Sequence, residues 1–332
     1  MIKQFLSITT RSAVFAKFVS LLEMVEPERT GILRILTYHR VSPVDAHPNL
    51  SPALLSATPE GFAEQMRYLA ERYHPVSAED LIAYYEQGKP LPPRAVMVTF
   101  DDAYRDFADH AWSVMKHYRI PATLFVPTAY PDKQDRGFWW DRLYQAISET
   151  TRTSLETANG TVNLSTPEQR IRAFKTLREY VKTLPHEQAM AWLADTYMRL
   201  GVTPPEQSSV LSWEELRKLH RDGVTLGAHT RNHPMMNRIT LQEAWTEAVG
   251  ALDDLERHIG KVLPIFAYPG GGFSDDVVKM LEKEGFALAF TTVRGLNDMR
   301  VADRLRLRRL NVGRLAAPAS IRAQLLTPWI NV

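Results

Sequence analysis

Short apolar runs recur along the chain, each followed by a polar loop and then a stretch with helical spacing, the alternation expected of parallel strands joined by crossover helices. The first run covers residues 32–38. A loop follows from His39 to Thr58, and a helix is predicted from about Pro59, with Phe62, Met66 and Leu69 on one face. Ser77 is placed to cap a second helix. Pro90, Pro92 and Pro93 lead into residues 95–100, a continuous apolar run too short for a helix and typical of a strand buried on both faces. A helix from Ala103 to about Tyr118 and a strand over 122–126, ended by Pro127, come next.

From Gly137 to about Pro205 the pattern turns helical, with Thr166 as a cap, Pro167 near a helix start and Pro185 as a break, which reads as an inserted helical subdomain. The alternation then resumes. It predicts a helix from Trp213, a strand over 224–228, a helix over 242–259, a strand over 265–268, a helix capped by Ser274 and a strand over 288–292. The expected organisation is an N-terminal amphipathic helical segment (1–31), a barrel-like α/β unit (32–315) with a helical insertion at about 138–210, and a C-terminal helix or tail (316–332). No fixed-period repeat is visible, which sets solenoids and propellers aside.

Residues 1–25 mix Lys3, Arg11 and Lys17 with Phe5, Leu6, Val14, Phe15, Phe18, Leu21 and Leu22. Lys17 and Glu23 interrupt the apolar residues, so neither a signal-peptide core nor a membrane span is expected. The segment reads as a helix on the rim of the domain, with peripheral membrane contact as the alternative and a cytoplasmic or inner-face location to match. The 40 basic and 38 acidic residues nearly balance. Arg304, Arg306, Arg308 and Arg309 alternate with Leu305, Leu307 and Leu310, a strand or loop edge rather than a phosphate track, so no nucleic-acid partner is expected. With no cysteine, any metal must sit on nitrogen and oxygen.

Candidate chemistry collects at three strand ends: Asp101-Asp102, His229 to His233, and the Pro269-Gly270-Gly271-Gly272 turn after Tyr268. In parallel α/β folds such ends converge on one face. His229 and His233 are four apart, so one helical turn would present both imidazoles on one side, and Asp102 would complete the ligand set of a catalytic zinc site. Of the two adjacent carboxylates one can hold a metal and the other take a proton from water. Each feature also has a plain structural reading: an aspartate after a strand caps a helix, and glycines make a turn. The glycines carry no phosphate-loop lysine, but a bare N–H there can face an oxyanion.

Several ordered segments resemble the polysaccharide deacetylase family, also called the NodB-homology domain or carbohydrate esterase family four. Thr99-Phe100-Asp101-Asp102-Ala103-Tyr104 is similar to its T-F-D-D-G motif, and His229-Thr230-Arg231-Asn232-His233 to its H-S/T-x-x-H motif. Phe266 to Gly271 resembles the third motif; Leu36 to Val41 and Phe138 to Leu143 look like segments of one bacterial branch. The resemblance implies a deformed parallel (β/α) barrel, a divalent ion that is usually zinc on Asp102, His229 and His233, and Asp101 as base. It further implies an oxyanion donor at Gly270 beside Tyr268, and hydrolysis of an acetamido group on an amino sugar of a polysaccharide or glycoconjugate.

Three departures follow from the same comparison. Ala103 stands where the family has glycine. The third motif lacks its usual arginine, so Asp101 must be held by another group, such as Arg309 or Arg40. No histidine follows His258, which leaves His39 as the candidate acid on the same rim. Trp139, Trp140 and Asp141 are candidates for the substrate wall. Related branches act on lipid-linked sugars or remove formyl groups, so a formamide or ester hydrolase and a silent glycan-binding barrel stand as alternatives.

Overall fold

The computed structural model describes residues 13–25, 30–44, 46–48, 50–133, 136–158, 160–203, 209–313 and 318–326. In chain order its elements are α1 (Ala13–Val25), β1 (Ile32–Tyr38), β2 (Arg40–Val41), β3 (Leu55–Ala57), α2 (Pro59–Arg72), β4 (His74–Pro75), α3 (Ala78–Gln87) and β5 (Ala95–Phe100). Then come α4 (Trp112–His117), β6 (Ala122–Val126), α5 (Trp139–Glu149), β7 (Ser154–Thr157), β8 (Gly160–Asn163), α6 (Pro167–Thr183) and α7 (His186–Leu200). The chain continues through α8 (Trp213–Arg221), β9 (Thr225–Ala228), α9 (Leu241–Ile259), β10 (Ile265–Ala267), α10 (Asp275–Lys283), β11 (Leu288–Arg294), β12 (Asn297–Asp298), β13 (Leu307–Asn311) and α11 (Pro318–Leu326).

Seven parallel strands close into a barrel in the order β1-β13-β11-β10-β9-β6-β5, with β5 returning to β1 over the pairs Arg34↔Val96 to Tyr38↔Phe100. The short β4 extends β5, and β12 runs antiparallel to the start of β1. This is the (β/α) barrel that the alternation predicts, with two-sided burial setting the strand composition: every residue of β5 and β6 is buried. Alternate residues part company. Leu33, Ile35, Met97, Phe125, Ile265, Phe290 and Leu307 pack together inside, while Leu36, Val96, Val98, Leu124 and Leu226 meet the surrounding helices.

Helix starts follow the sequence signals. The side chains of Thr58, Ser77, Thr166, Ser212, Thr240 and Ser274 each accept a backbone N–H of the first turn, four of them within reciprocal capping boxes.

Three local expectations give way. The loop after His39 holds β2, β3 and a turn of 3-10 helix. No helix begins at Ala103: Asp102 and Ala103 adopt φ of 72° and 50°, Tyr104 bridges to Val210, and helical geometry starts only at Phe107. A helix cannot pass through left-handed residues, and the same φ explains why glycine suits position 103. The insertion is not wholly helical, because β7 and β8 form a hairpin between α5 and α6. It has its own core, in which Leu143, Ile147, Leu155, Phe174, Leu177 and Leu193 pack together.

The N-terminal helix α1 lies on α11 and α2. Arg322 Nε donates to Glu23 at 2.7 Å and its Nη2 to Ser20 Oγ at 2.8 Å, while Tyr68 donates to Glu23 at 2.5 Å. Among the described residues no helix is long and apolar enough to cross a membrane. Residues 1–12 and 26–29 of the predicted N-terminal segment, and 316–317 and 327–332 of the C-terminal one, lie outside the described residues.

Candidate active site

The carboxyl ends of the barrel strands bring the sequence-predicted residues into one cavity of about 350 Å³, lined by His39, Asp101, Asp102, Trp139, Trp140, His229, His233 and Gly270 among others. Four strand ends contribute, with His39 after β1, the aspartates after β5, the histidines after β9 and the glycine turn after β10, while Trp139 and Trp140 come from the start of α5. Three of the residues predicted for the substrate and oxyanion, Tyr268, Asp141 and Arg309, do not line it.

Asp102, His229 and His233 form a cluster whose donor atoms lie within 4.8 Å of one another. Asp102 Oδ1 stands 3.5 Å from His229 Nε2 and 3.2 Å from His233 Nε2. His229 Nδ1 lies 2.7 Å from the Ala267 carbonyl, a contact that needs the proton on Nδ1 and so turns the Nε2 lone pair toward Asp102. Asp102 Oδ1 is buried with no hydrogen-bond partner. Burial opposes the charged form of Asp102, yet the two imidazoles outweigh it and hold its carboxyl well below the ordinary range; burial lowers His233. One carboxylate oxygen and two imidazole nitrogens this close together are a donor set that fits a divalent cation of the zinc type.

The His-x-x-x-His segment is not the helical turn that its spacing suggests. Thr230 and His233 have φ of 63° and 59°, and His233 N–H donates to Thr230 Oγ1 at 2.9 Å, so a folded loop brings the rings together. The loop is pinned from α9: Glu247 accepts the N–H groups of both Arg231 and Asn232 at 2.8 Å. The Arg231 guanidinium lies against Gly250, where an added Cβ would stand 2.5 Å from it, and forks onto Asp254 at 2.8 and 2.9 Å.

Asp101 is buried beside Arg309, whose two terminal nitrogens each donate to one carboxylate oxygen at 2.8 Å. Burial pushes the Asp101 carboxyl up, but the guanidinium outweighs it and leaves the carboxyl below its ordinary value. Arg309 is fixed in turn by the Thr291 carbonyl at 2.8 Å. Of the two arginines considered for this place, Arg309 occupies it; Arg40 instead pairs with buried Asp106 at 3.0 Å.

Gly270 takes φ 57° on the cavity wall, and the turn beyond it is held by Gly271 N–H on the Tyr268 carbonyl at 3.0 Å. Gly271, at φ 73°, approaches β11 so closely that a Cβ would sit 1.8 Å from Thr292 Oγ1. Tyr268 itself is turned into the shell between strands and helices, its hydroxyl donating to Leu305 at 2.9 Å, so its apolar ring is used for packing rather than for the cavity. Asp141 is likewise turned away: it accepts Ser51 N–H at 2.7 Å and the Tyr104 hydroxyl at 2.8 Å, and burial raises its carboxyl to about 7. It positions the loop that carries Ser51. Trp140 faces the cavity, its ring 4.7 Å from that of His233 and its indole N–H on Tyr104 at 2.9 Å.

Sequence reasoning missed Arg178, Lys182, Arg238, Thr292 and Asn311, which line the same cavity. Only Asn311 had a signal, since it is two residues beyond Arg309 on one strand and so shares its face.

The barrel with this cluster at its carboxyl end has a family. The chain belongs to the polysaccharide deacetylase family, whose model matches residues 88–289, and so to a class of hydrolases acting on non-peptide amide bonds. It is 19% identical over 272 residues to YxkH of Bacillus subtilis (strain 168), covering 82% of this chain and 68% of that one. It is 34% identical over 102 residues to the poly-beta-1,6-N-acetyl-D-glucosamine N-deacetylase of Staphylococcus epidermidis, a match over 28% of this chain and 35% of that enzyme. Among solved structures it resembles the Streptococcus pyogenes deacetylase PplD in complex with acetate (TM-score 0.61, 17% identity, 90% of this chain and 99% of that one). IcaB from Ammonifex degensii is similar (TM-score 0.59, 20% identity, the same coverage), and at these identities the likeness is one of fold.

Proposed function

We propose that this protein removes an N-acetyl group from an amino sugar in a polysaccharide or glycoconjugate, with a zinc-type divalent cation on Asp102, His229 and His233. The observation that carries the reading is the buried, unpartnered Asp102 Oδ1 facing two imidazole nitrogens beside a second carboxylate. A cation held there would polarise the scissile carbonyl and lower the pKa of a bound water to about 7. Asp101, kept ionised by Arg309, accepts the proton that water gives up as it attacks the amide carbon. The Gly270 N–H faces the oxygen that gains charge. His39 delivers the proton on which the amine leaves, so that amide and water become amine and acetate. Trp139 and Trp140 supply the apolar wall on which a sugar ring lies.

The test pairs metal content with acetate release. Asp101→Asn should keep the metal and lose turnover by at least about 100-fold, while His229→Ala should lose both. Normal turnover in either variant removes these roles. Stoichiometric metal without acetate release from any acetylated sugar would leave a glycan-binding barrel.

A second reading draws on α1, which turns Val14, Phe18, Leu21 and Met24 outward, with Met24 82% exposed. An outward apolar stripe on a surface helix suits the membrane interface. In this reading the protein works at the cytoplasmic face of a membrane on a lipid-linked sugar, where a formamide or ester would be open to the same chemistry.

A further inference from the structure

The cavity wall opposite the barrel comes from the insertion. Arg178 and Lys182, one turn apart on α6, share a face and both line the cavity; His186, Ala189 and Met190 from the first turns of α7 continue it. Arg238, just past the histidine loop, lines it from the other side. The wall is tied to that loop, because His186 N–H donates to the Arg238 carbonyl at 3.2 Å.

The charges on this wall are unbalanced. Among the described residues the only carboxylates lining the cavity are Asp101 and Asp102, the first taken by Arg309 and the second facing the imidazoles. Arg178 and Lys182 share one carboxylate, Glu179, which is 60% exposed and outside the cavity. Among the described residues no carboxylate pairs with Arg238. Burial lowers Lys182 and the neighbouring Arg178 adds to this, against the opposing pull of Glu179.

We propose that Arg178, Lys182 and Arg238 form an anion subsite, and that the substrate is an N-acetylated amino sugar carrying a phosphate ester beside the acetamide-bearing ring. Three cations against one shared carboxylate match a group with more than one negative charge, and a guanidinium is suited to phosphate oxygens. The inference rests on the deacetylase reading, which fixes where the acetamide lies. The phosphate has two sources, a soluble sugar phosphate or a lipid-carried diphosphate.

The experiment is calorimetric binding of N-acetylglucosamine and N-acetylglucosamine 1-phosphate to zinc-loaded Asp101→Asn protein. The phosphorylated sugar should bind at least tenfold more tightly, and less so in high salt. Arg238→Met and the double variant R178M/K182M should each remove most of that preference with zinc content and thermal midpoint unchanged, and Lys182→Arg should retain it. Equal binding of the two sugars, or a preference that survives all three substitutions because the phosphate sits on zinc, overturns the subsite. Acetate release from wild-type protein separates the two claims. Release from neutral chitobiose alone keeps the deacetylase and sinks the subsite; phosphate-selective binding with no release from either sugar keeps the subsite and sinks the deacetylase. Comparing wild-type turnover on the soluble phosphate and on a polyprenyl diphosphate sugar in micelles assigns the source to whichever is faster.

Discussion

At the scale of single residues, the base is defined by its partner. Asp101 is ionised because two guanidinium nitrogens meet its two oxygens in a buried setting. Arg309→Met leaves that carboxylate buried and unpaired, so its pKa rises and the acid limb of the pH dependence of kcat/KM moves to higher pH; a limb that stays in place would show that Asp101 is not the titrating base. Removing one partner of a buried pair also destabilises by about 3–5 kcal/mol, readable in denaturant melts. The folded carboxyl lies below its unfolded value, so the stability it contributes is complete above the unfolded pKa and is lost as pH falls through the folded one. The arginine's identity was legible only as one of two candidates. Strand alternation separates inward from outward residues on β13, but it does not say which inward arginine meets which carboxylate across the barrel.

At the scale of elements, the buried strands were the most readable parts. The runs at 32–38, 95–100 and 122–126 coincide with β1, β5 and β6, since two-sided burial leaves a mainly apolar signature, interrupted in β1 by Arg34. The turns after them were not readable. Left-handed φ at Asp102, Thr230 and His233 is set by tertiary partners such as Glu247, and no local propensity announces it. The β7–β8 hairpin was hidden as well, because it buries little beyond Leu155 and half-buries Val162. The dependence of the histidine loop on α9 has a measurable consequence. Glu247→Gln keeps the shape but weakens the grip on two N–H groups, so metal affinity should fall by about tenfold in a chelator competition while the thermal midpoint moves little. Unchanged affinity would mean that the loop holds its shape unaided.

At the scale of the whole molecule, the site lies at the carboxyl end of the barrel, while α1 packs on α11 and turns its apolar stripe outward. Leu21→Glu with Met24→Glu, both at exposed positions, should cut co-sedimentation with anionic lipid vesicles severalfold without changing turnover on a soluble substrate. Equal sedimentation of the variant and the parent would withdraw the membrane contact. The tie between Arg322 and Glu23 is on the inner side of that helix, so it should persist in the variant.

Closure of the barrel also sets an order of assembly. Arg309 belongs to the last of the seven strands and meets Asp101 across 208 residues of sequence. A nascent chain therefore carries its aspartates and histidines long before the guanidinium that holds the base exists, and the final strand must insert between β1 and β11 to deliver it. Contacts of such long range make for slow folding. Competence would thus appear late and all at once during synthesis, as a property of ring closure rather than of any earlier folding step.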